Sequence, residues 1–441
     1  MKRFLLPILA FALVASSPAQ AALKIQSWTL PNGARVLFVE NHSIPILDVN
    51  VEFDAGSRRD PEGKSGTAAL TNAMLARGLH ASNAPLQEPA MSEAQISDRF
   101  ADTGAQRGGG AGTDRADVSL RTLSSRAERD TSVELVARIL AHPSFPEDFF
   151  ARDKARTIAA IREEETKPES IASKAFWKLL YGEHPYGSTP TVASVEAVTR
   201  DDLVAFHAAH YVANRAIVSM IGDVTREEAN AIAQQLTLRL PQGAPLPDMP
   251  PVQFAPAREE RIEHPASQAH VLTGVPALSR NDPDYFALTV GNYVLGGGGF
   301  VSRLMHEVRE KRGLSYSVYS YFNPLAQPGP FMAGFQTKRE QAQDALNVTR
   351  DTMATFLLDG PTKEELQAAK DNLIGGFALR IDSNRKILDN LAAIGFYNLP
   401  LDYLDTWTAN VAKVSVADVK AAFNRKVALD KMSTVIVGNV K

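Results

Sequence analysis

The feature that most constrains this chain is a repeat of itself. Residues 198–224 read VTRDDLVAFHAAHYVANRAIVSMIGDV, and residues 414–440 read VSVADVKAAFNRKVALDKMSTVIVGNV. Both stretches run 27 residues without a gap, 216 positions apart. Each predicts a helix capped near Thr199 or Ser415, followed by an apolar, β-branched strand that ends in Gly-Asp-Val or Gly-Asn-Val. A weaker match recurs earlier in each half. Arg59-Asp60-Pro61 precedes a helix around 70–75, and Asn281-Asp282-Pro283 precedes one around 287–295. Two matches in the same order point to duplication, so the chain builds one domain twice.

A length of 441 residues leaves each copy enough chain for its own core. Between the copies, residues 241–256 hold six prolines in sixteen positions, a stiff and extended connector. The expected domains are therefore 22–238 and 258–441, with a linker at 239–257. In the first, 23–29, 34–39 and 46–53 predict strands, with Pro31-Asn32-Gly33 as a hairpin turn. Helices are predicted over 133–140 and 153–165. Strands followed by helices predict an α+β fold, each domain an antiparallel sheet with helices packed on one face.

Composition removes several functions. Lys plus Arg total 47 against 50 for Asp plus Glu, a formal balance of −3, which argues against a nucleic-acid partner held through phosphates. Cysteine is absent, so disulfides, thiolate nucleophiles and Cys-ligated metals are excluded. Lys2 and Arg3, an apolar run over 4–15 and Ala19-Gln20-Ala21 read as a cleavable signal peptide at 1–21. The expected location is the periplasm. That apolar run is too short for a membrane span, and none is expected.

Motifs then carry a family resemblance. Gly66-Thr67-Ala68-Ala69-Leu70-Thr71-Asn72-Ala73-Met74-Leu75, just after Asp54-Ala55-Gly56-Ser57-Arg58, resembles the segment of pitrilysin/insulinase-like zinc peptidases that bears the inverted motif H-x-x-E-H. In that motif two histidines one helical turn apart bind zinc, and the glutamate takes a proton from the metal-bound water. The matching positions here hold Ala69, Asn72 and Ala73. A later glutamate ligand in the family matches Ala160, and Glu163 to Glu165 beyond it read as a solvated helix face. The resemblance therefore implies that this chain binds no zinc.

Other histidines offer little. His207 and His210 are three apart on a helix, a metal-compatible spacing without a third ligand nearby, and read as structural. His184, in Gly-Glu-His-Pro-Tyr-Gly, resembles a family stretch that does not ligate zinc. No Gly-x-Ser-x-Gly elbow is present.

The second half reads differently. Leu295-Gly296-Gly297-Gly298-Gly299-Phe300 leads through Ser302-Arg303-Leu304 into Val308-Arg309-Glu310-Lys311-Arg312-Gly313-Leu314-Ser315-Tyr316. No Gly-Lys-Ser/Thr follows, so this is not a phosphate loop. It resembles the family stretch in which an arginine and a tyrosine, seven residues apart, reach toward zinc-bound substrate. Arg309 and Tyr316 have that spacing; Arg312 does not. The resemblance implies that the Arg309 guanidinium holds a peptide carbonyl and the Tyr316 hydroxyl stabilises the oxyanion. It also implies that Gly110, Ala111, Gly112 and Thr113, in the run Gly-Gly-Gly-Ala-Gly-Thr-Asp at 108–114, belong to an edge strand that pairs with extended substrate. This run is richer in glycine than the family's, and so more pliable.

Over nearly its whole length the chain thus resembles a non-catalytic subunit of that family, half of a clamshell, similar to the alpha-type partner in bacterial heterodimeric processing-type peptidases. The expected partner is a homologous subunit that keeps the zinc motif and the zinc, with Arg309 and Tyr316 supplied in trans and peptides as substrates. A peptide-binding or chaperone-like homodimer, or a structural subunit without hydrolysis, are the alternatives.

Overall fold

The computed structural model describes residues 23–82 and 87–438; the signal peptide expected at 1–21 lies outside them. The first sheet is built from β1 (Gln26–Thr29), β2 (Arg35–Glu40), β3 (Ile46–Phe53), β6 (Gln106–Ala111), β7 (Ala116–Leu123) and β8 (Ile217–Gly222). A two-residue ribbon, β4 (Gly78–Leu79) with β5 (Met91–Ser92), stands apart. The second sheet holds β9 (Glu259–Ile262), β10 (Gln268–Leu278), β11 (Ser315–Phe322), β12 (Gly329–Lys338) and β13 (Ser433–Val437).

The strand orders show the duplication. From one edge the first sheet runs β6-β7-β3-β8-β2-β1, and the second runs β11-β12-β10-β13-β9. Five strands correspond, in the same chain order, and β1 is an addition. Each sheet has one parallel pair, β2 with β8 and β9 with β13, and is otherwise antiparallel. The repeat holds residue by residue. Helices Arg200–His210 and Val416–Lys426 are followed by single 3₁₀ turns, Ala213–Arg215 and Leu429–Lys431, and then by β8 and β13. Thr199 and Ser415 close capping boxes with Asp202 and Asp418, each worth about 1 kcal/mol.

One face of each sheet packs on helices of its own half. In the first, Val36, Phe38, Val49, Val51, Val118 and Leu120 meet Leu70, Met74, Val133, Leu203 and Tyr211. The alternation of these strand residues is what turns one face inward. The other face of each sheet is partly covered by a helix from the opposite half. Pro168–Tyr181 lays Phe176, Leu179 and Leu180 on Leu272, Met332, Val435 and Val437 of the second sheet. Asn384–Phe396 lays Ile387, Leu388 and Leu391 on Val39 and Ile221 of the first. Both contacts are close: a Cβ on Gly274 would sit 2.8 Å from the Phe176 ring, and one on Gly395 would sit 2.7 Å from Ile217.

A buried carboxylate ties the halves together. Asp114, at the β6–β7 turn, pairs with Arg58 at 3.1 Å and accepts hydrogen bonds from Tyr186 Oη (2.7 Å), the Ala326 amide (2.8 Å) and Tyr397 Oη (3.0 Å). The proline-rich segment is held as well. Arg59 donates to the Pro247 carbonyl, and His184 and Gln327 both donate to that of Pro250.

Candidate functional site

Helix Thr67–Met74 begins after Gly66 (φ 107°), where the buried Asp60 carboxylate accepts from the Gly66 and Ala68 amides, each at 2.7 Å. Burial pushes the Asp60 carboxyl up to about 6. Leu70, Thr71, Asn72 and Met74 face inward, whereas Ala69 and Ala73, one turn apart, are exposed on one stripe. Asn72 spends its amide N–H groups on the Asp117 carbonyl (3.0 Å) and on Tyr211 Oη (3.2 Å), pinning the helix to β7. Helix Glu147–Glu164 packs against this one and leaves Ala160 exposed. Two packed helices thus carry the positions that the family resemblance assigns to metal ligands. The side chains there do not fit zinc: three are methyl groups and the fourth is a committed amide. Among the described residues, no three His, Cys, Asp or Glu side chains group to hold a metal ion.

The histidines are used in packing. His207 Nε2 donates to the Leu140 carbonyl at 2.7 Å, and burial pulls its pKa down to about 4. His210 Nδ1 bonds the Asp54 carbonyl at 2.8 Å. His184 accepts from the Tyr186 amide through Nδ1 at 3.1 Å. Glu163 pairs with Lys167 on an exposed face.

Strand β6 ends its sheet, paired only with β7 from Gln106↔Arg121 to Ala111↔Ala116. Gly110 and Ala111 lie in that edge strand. Gly112 and Thr113 lie in the following turn, where their carbonyls accept from the Ser57 and Arg58 amides. A Cβ on Gly56 would approach the Thr113 oxygen to 2.4 Å, so only glycine fits beneath this turn.

On the second sheet, β11 occupies the position that β6 holds on the first. The chain reaches it through two π-helical stretches, Tyr293–Gly297 and Met305–Glu310, separated by a turn in which Gly299 adopts φ +61°. Such widened turns re-aim side chains. Here they place the Arg309 guanidinium 4.8 Å from the Tyr316 ring centroid and 4.6 Å from that of Phe300. Tyr316 is 82% exposed and Phe300 64%. Neighbouring arginines are engaged: Arg312 pairs with Glu307 at 2.8 Å, and Arg303 with Glu365 at 2.6 Å. Lys311 and Arg312 together pull the Glu307 carboxyl down to about 2. Arg309 has no ion pair among the described residues, and is held by aromatic faces instead. An unpaired guanidinium beside an exposed phenol can grip a carbonyl and stabilise an oxyanion. Phe300 escapes the motif reading, because a Phe after a glycine run carries no signal until its exposure is known.

Comparison with known proteins places these features in context. Residues 197–373 match the family described as "Peptidase M16 inactive domain". The crystal structure of a peptidase M16 inactive domain from Pseudomonas fluorescens is 39% identical, with 94% of this chain and 98% of that one covered and a TM-score of 0.88. A Helicobacter pylori protease structure shares the fold at 21% identity and a TM-score of 0.84, with 94% and 99% covered. The Helicobacter pylori "non-peptidase homolog YmxG" is 24% identical, with 92% of each chain covered.

Proposed function

Since this chain belongs to the peptidase M16 family and carries its inactive type of domain, we propose that it is the non-catalytic subunit of an exported, heterodimeric zinc metallopeptidase. Its partner is a homologous subunit that keeps the zinc-binding histidines and the catalytic glutamate. Arg309 and Tyr316 act in trans at that partner's zinc. Arg309 grips a substrate carbonyl with its planar fork, and Tyr316 donates its hydroxyl to the oxyanion formed as water attacks. Gly110 and Ala111 offer main-chain pairing to the extended peptide, with Gly112 and Thr113 fixing the end of that strand.

The observation that carries this reading is the Arg309–Tyr316 pair: the half-buried guanidinium lies 4.8 Å from the exposed Tyr316 ring and has no ion-pair partner among the described residues. An exposed aromatic ring and a lone cation add little to folding stability. Their arrangement suits a ligand.

The test is peptide hydrolysis by this chain, by the zinc-bearing homologue from the same genome, and by their mixture. Activity is expected in the mixture alone. Arg309→Ala or Tyr316→Phe should lower kcat/KM about 100-fold or more, with the complex still assembled. Full activity of the homologue by itself, unchanged on mixing, sinks the proposal and leaves peptide binding or an architectural role.

A further inference from the structure

A cavity of about 490 Å³ opens on the face of the second sheet that receives the helix from the other half. Its floor is Leu272 and Met332, both nearly buried, with Phe335 behind them. One side is helix Pro168–Tyr181, through Glu169, Ala172 and Ser173. The opposite side is β11, whose Tyr319 and Tyr321 stack with ring centroids 5.9 Å apart and planes 15° apart. Tyr316, the partner of Arg309, stands at the end of the same strand and lines the same cavity.

Duplication supplies an internal comparison. The corresponding place on the first sheet lies between helix Asn384–Phe396 and β6 with β7. There the space is about 160 Å³ and is lined by Asp48, Arg107, Arg121 and Arg385. One copy of the groove is narrow and charged; the other is wide and walled by tyrosines. Tyr319 and Tyr321 remain 39% and 40% exposed, although a strand partner or an inward turn could have covered them. Half-exposed aromatic rings around an apolar floor mark a recognition surface.

We propose that this cavity is a subsite for one large apolar or aromatic side chain of a bound peptide. The proposal rests on the reading of Arg309 and Tyr316 as substrate-binding groups, because Tyr316 places the cavity one side chain away from the backbone they hold. Leu272 and Met332 give an apolar floor, and tyrosine faces and a thioether favour an aromatic ring. Lysine and arginine are missing from the described residues that line it; burial holds the pKa of the lining His270 below its ordinary value, and Glu169 repels an acidic side chain or a phosphate. The volume falls within the ordinary range for a ligand pocket.

The experiment uses the isolated chain and the complex. N-acetylated, C-amidated alanine hexapeptides carrying Phe, Lys or Ala at one central position are titrated into the isolated chain by NMR. The same peptides then serve as substrates for the mixture. The Phe peptide is expected to bind about 10-fold more tightly than the Ala peptide. Ser173→Trp, an exposed change that fills the cavity from the helix, should erase that difference while leaving far-UV circular dichroism, the melting temperature and the Ala peptide's affinity intact. Equal binding of Phe and Ala peptides, preference for Lys, no detectable binding of the Phe peptide at millimolar concentration, or an unaltered preference in Ser173→Trp would each overturn it. So would a preference present in the isolated chain but lost in the complex, which would mean that the partner fills the cavity. Should mixing produce no hydrolysis while the Phe preference and its loss in Ser173→Trp persist, catalysis in trans falls and the subsite stands.

Discussion

Helix Thr67–Met74 of the first half presents Ala69 and Ala73 to solvent, whereas β11 of the second half and the stretch leading into it present Tyr316 and Phe300 beside Arg309, which has no ion pair among the described residues. The two regions sit on sheets of one topology but differ in backbone as well as in side chains: one is a regular α-helix, the other a pair of π-helical stretches that run into β11. Alanine at an exposed helical position is the most favourable residue for the helix. Alanine at Ala69 and Ala73 therefore supports the helix while offering no metal ligand. Leu70, Asn72 and Met74 are a different matter: they pack and pin the helix to the sheet. On the second sheet the logic reverses. Stacking of Arg309 on Phe300 and Tyr316 contributes only about 0.5–1 kcal/mol per contact to the fold, and exposure of the two rings is better accounted for by what they meet outside it.

Restoring the ligands is the largest test of that contrast. Ala69→His, Ala73→His and Ala160→Glu together should convert a chain without zinc into one that binds one equivalent, measured by metal analysis after gel filtration. If no zinc is retained, the two helices do not hold these positions as a metal site and the comparison fails. Next comes the tie between the halves. Asp114→Ala leaves Tyr186 and Tyr397 without their buried acceptor and Arg58 with Asp54 alone, at 3.0 Å, and should cost about 1–3 kcal/mol, seen as a fall in the denaturant midpoint. An unchanged midpoint would mean that the halves are joined by apolar contact alone.

A third prediction concerns pH. His207 is half-buried, its imidazole bonded to the Leu140 carbonyl, and desolvation pulls its pKa down to about 4 in the fold against about 6.5 when unfolded. The unfolded chain therefore binds the proton first, and the stability that His207 contributes is present above pH 6.5 and lost as pH falls toward 4. At most about 3 kcal/mol is involved. The stability difference between the native chain and His207→Gln should shrink over that range, and a constant difference would refute it. The smallest effect sharpens the second-half argument. In the complex, Phe300→Ala should lower kcat/KM about 10-fold through a freed Arg309; Phe300→Tyr should restore it and Phe300→Leu should not. Equal rescue by Leu would reduce Phe300 to an apolar spacer.

Much of this was legible in the chain itself, and the reasons differ by residue. The helix–strand unit at 198–224 and its copy were readable because capping residues and β-branched runs are local signals, and both copies agree. Strand β1 starts at Gln26 rather than at 23, since apolar character at Leu23 and Ile25 serves packing against the second-half core and helix. Arg309 and Tyr316 were found by spacing within a motif, and the fold brings them together. Phe300, Tyr319 and Tyr321 were not found, because exposure is decided by neighbours distant in sequence. The exchange of helices was also hidden. Phe176, Leu179 and Leu180 announce an apolar face, but periodicity does not say which sheet will cover it.

That exchange has a consequence for how the chain comes into being. The first sheet gathers its last strand at Ile217–Gly222, yet the helix that covers Val39 and Ile221 is Asn384–Phe396, more than 150 residues further on. A chain emerging N-terminus first must carry a finished sheet with one bare apolar patch through the synthesis of most of its second half. Such a nascent chain is a client for a holdase, and a fragment that stops after the linker inherits the same sticky surface.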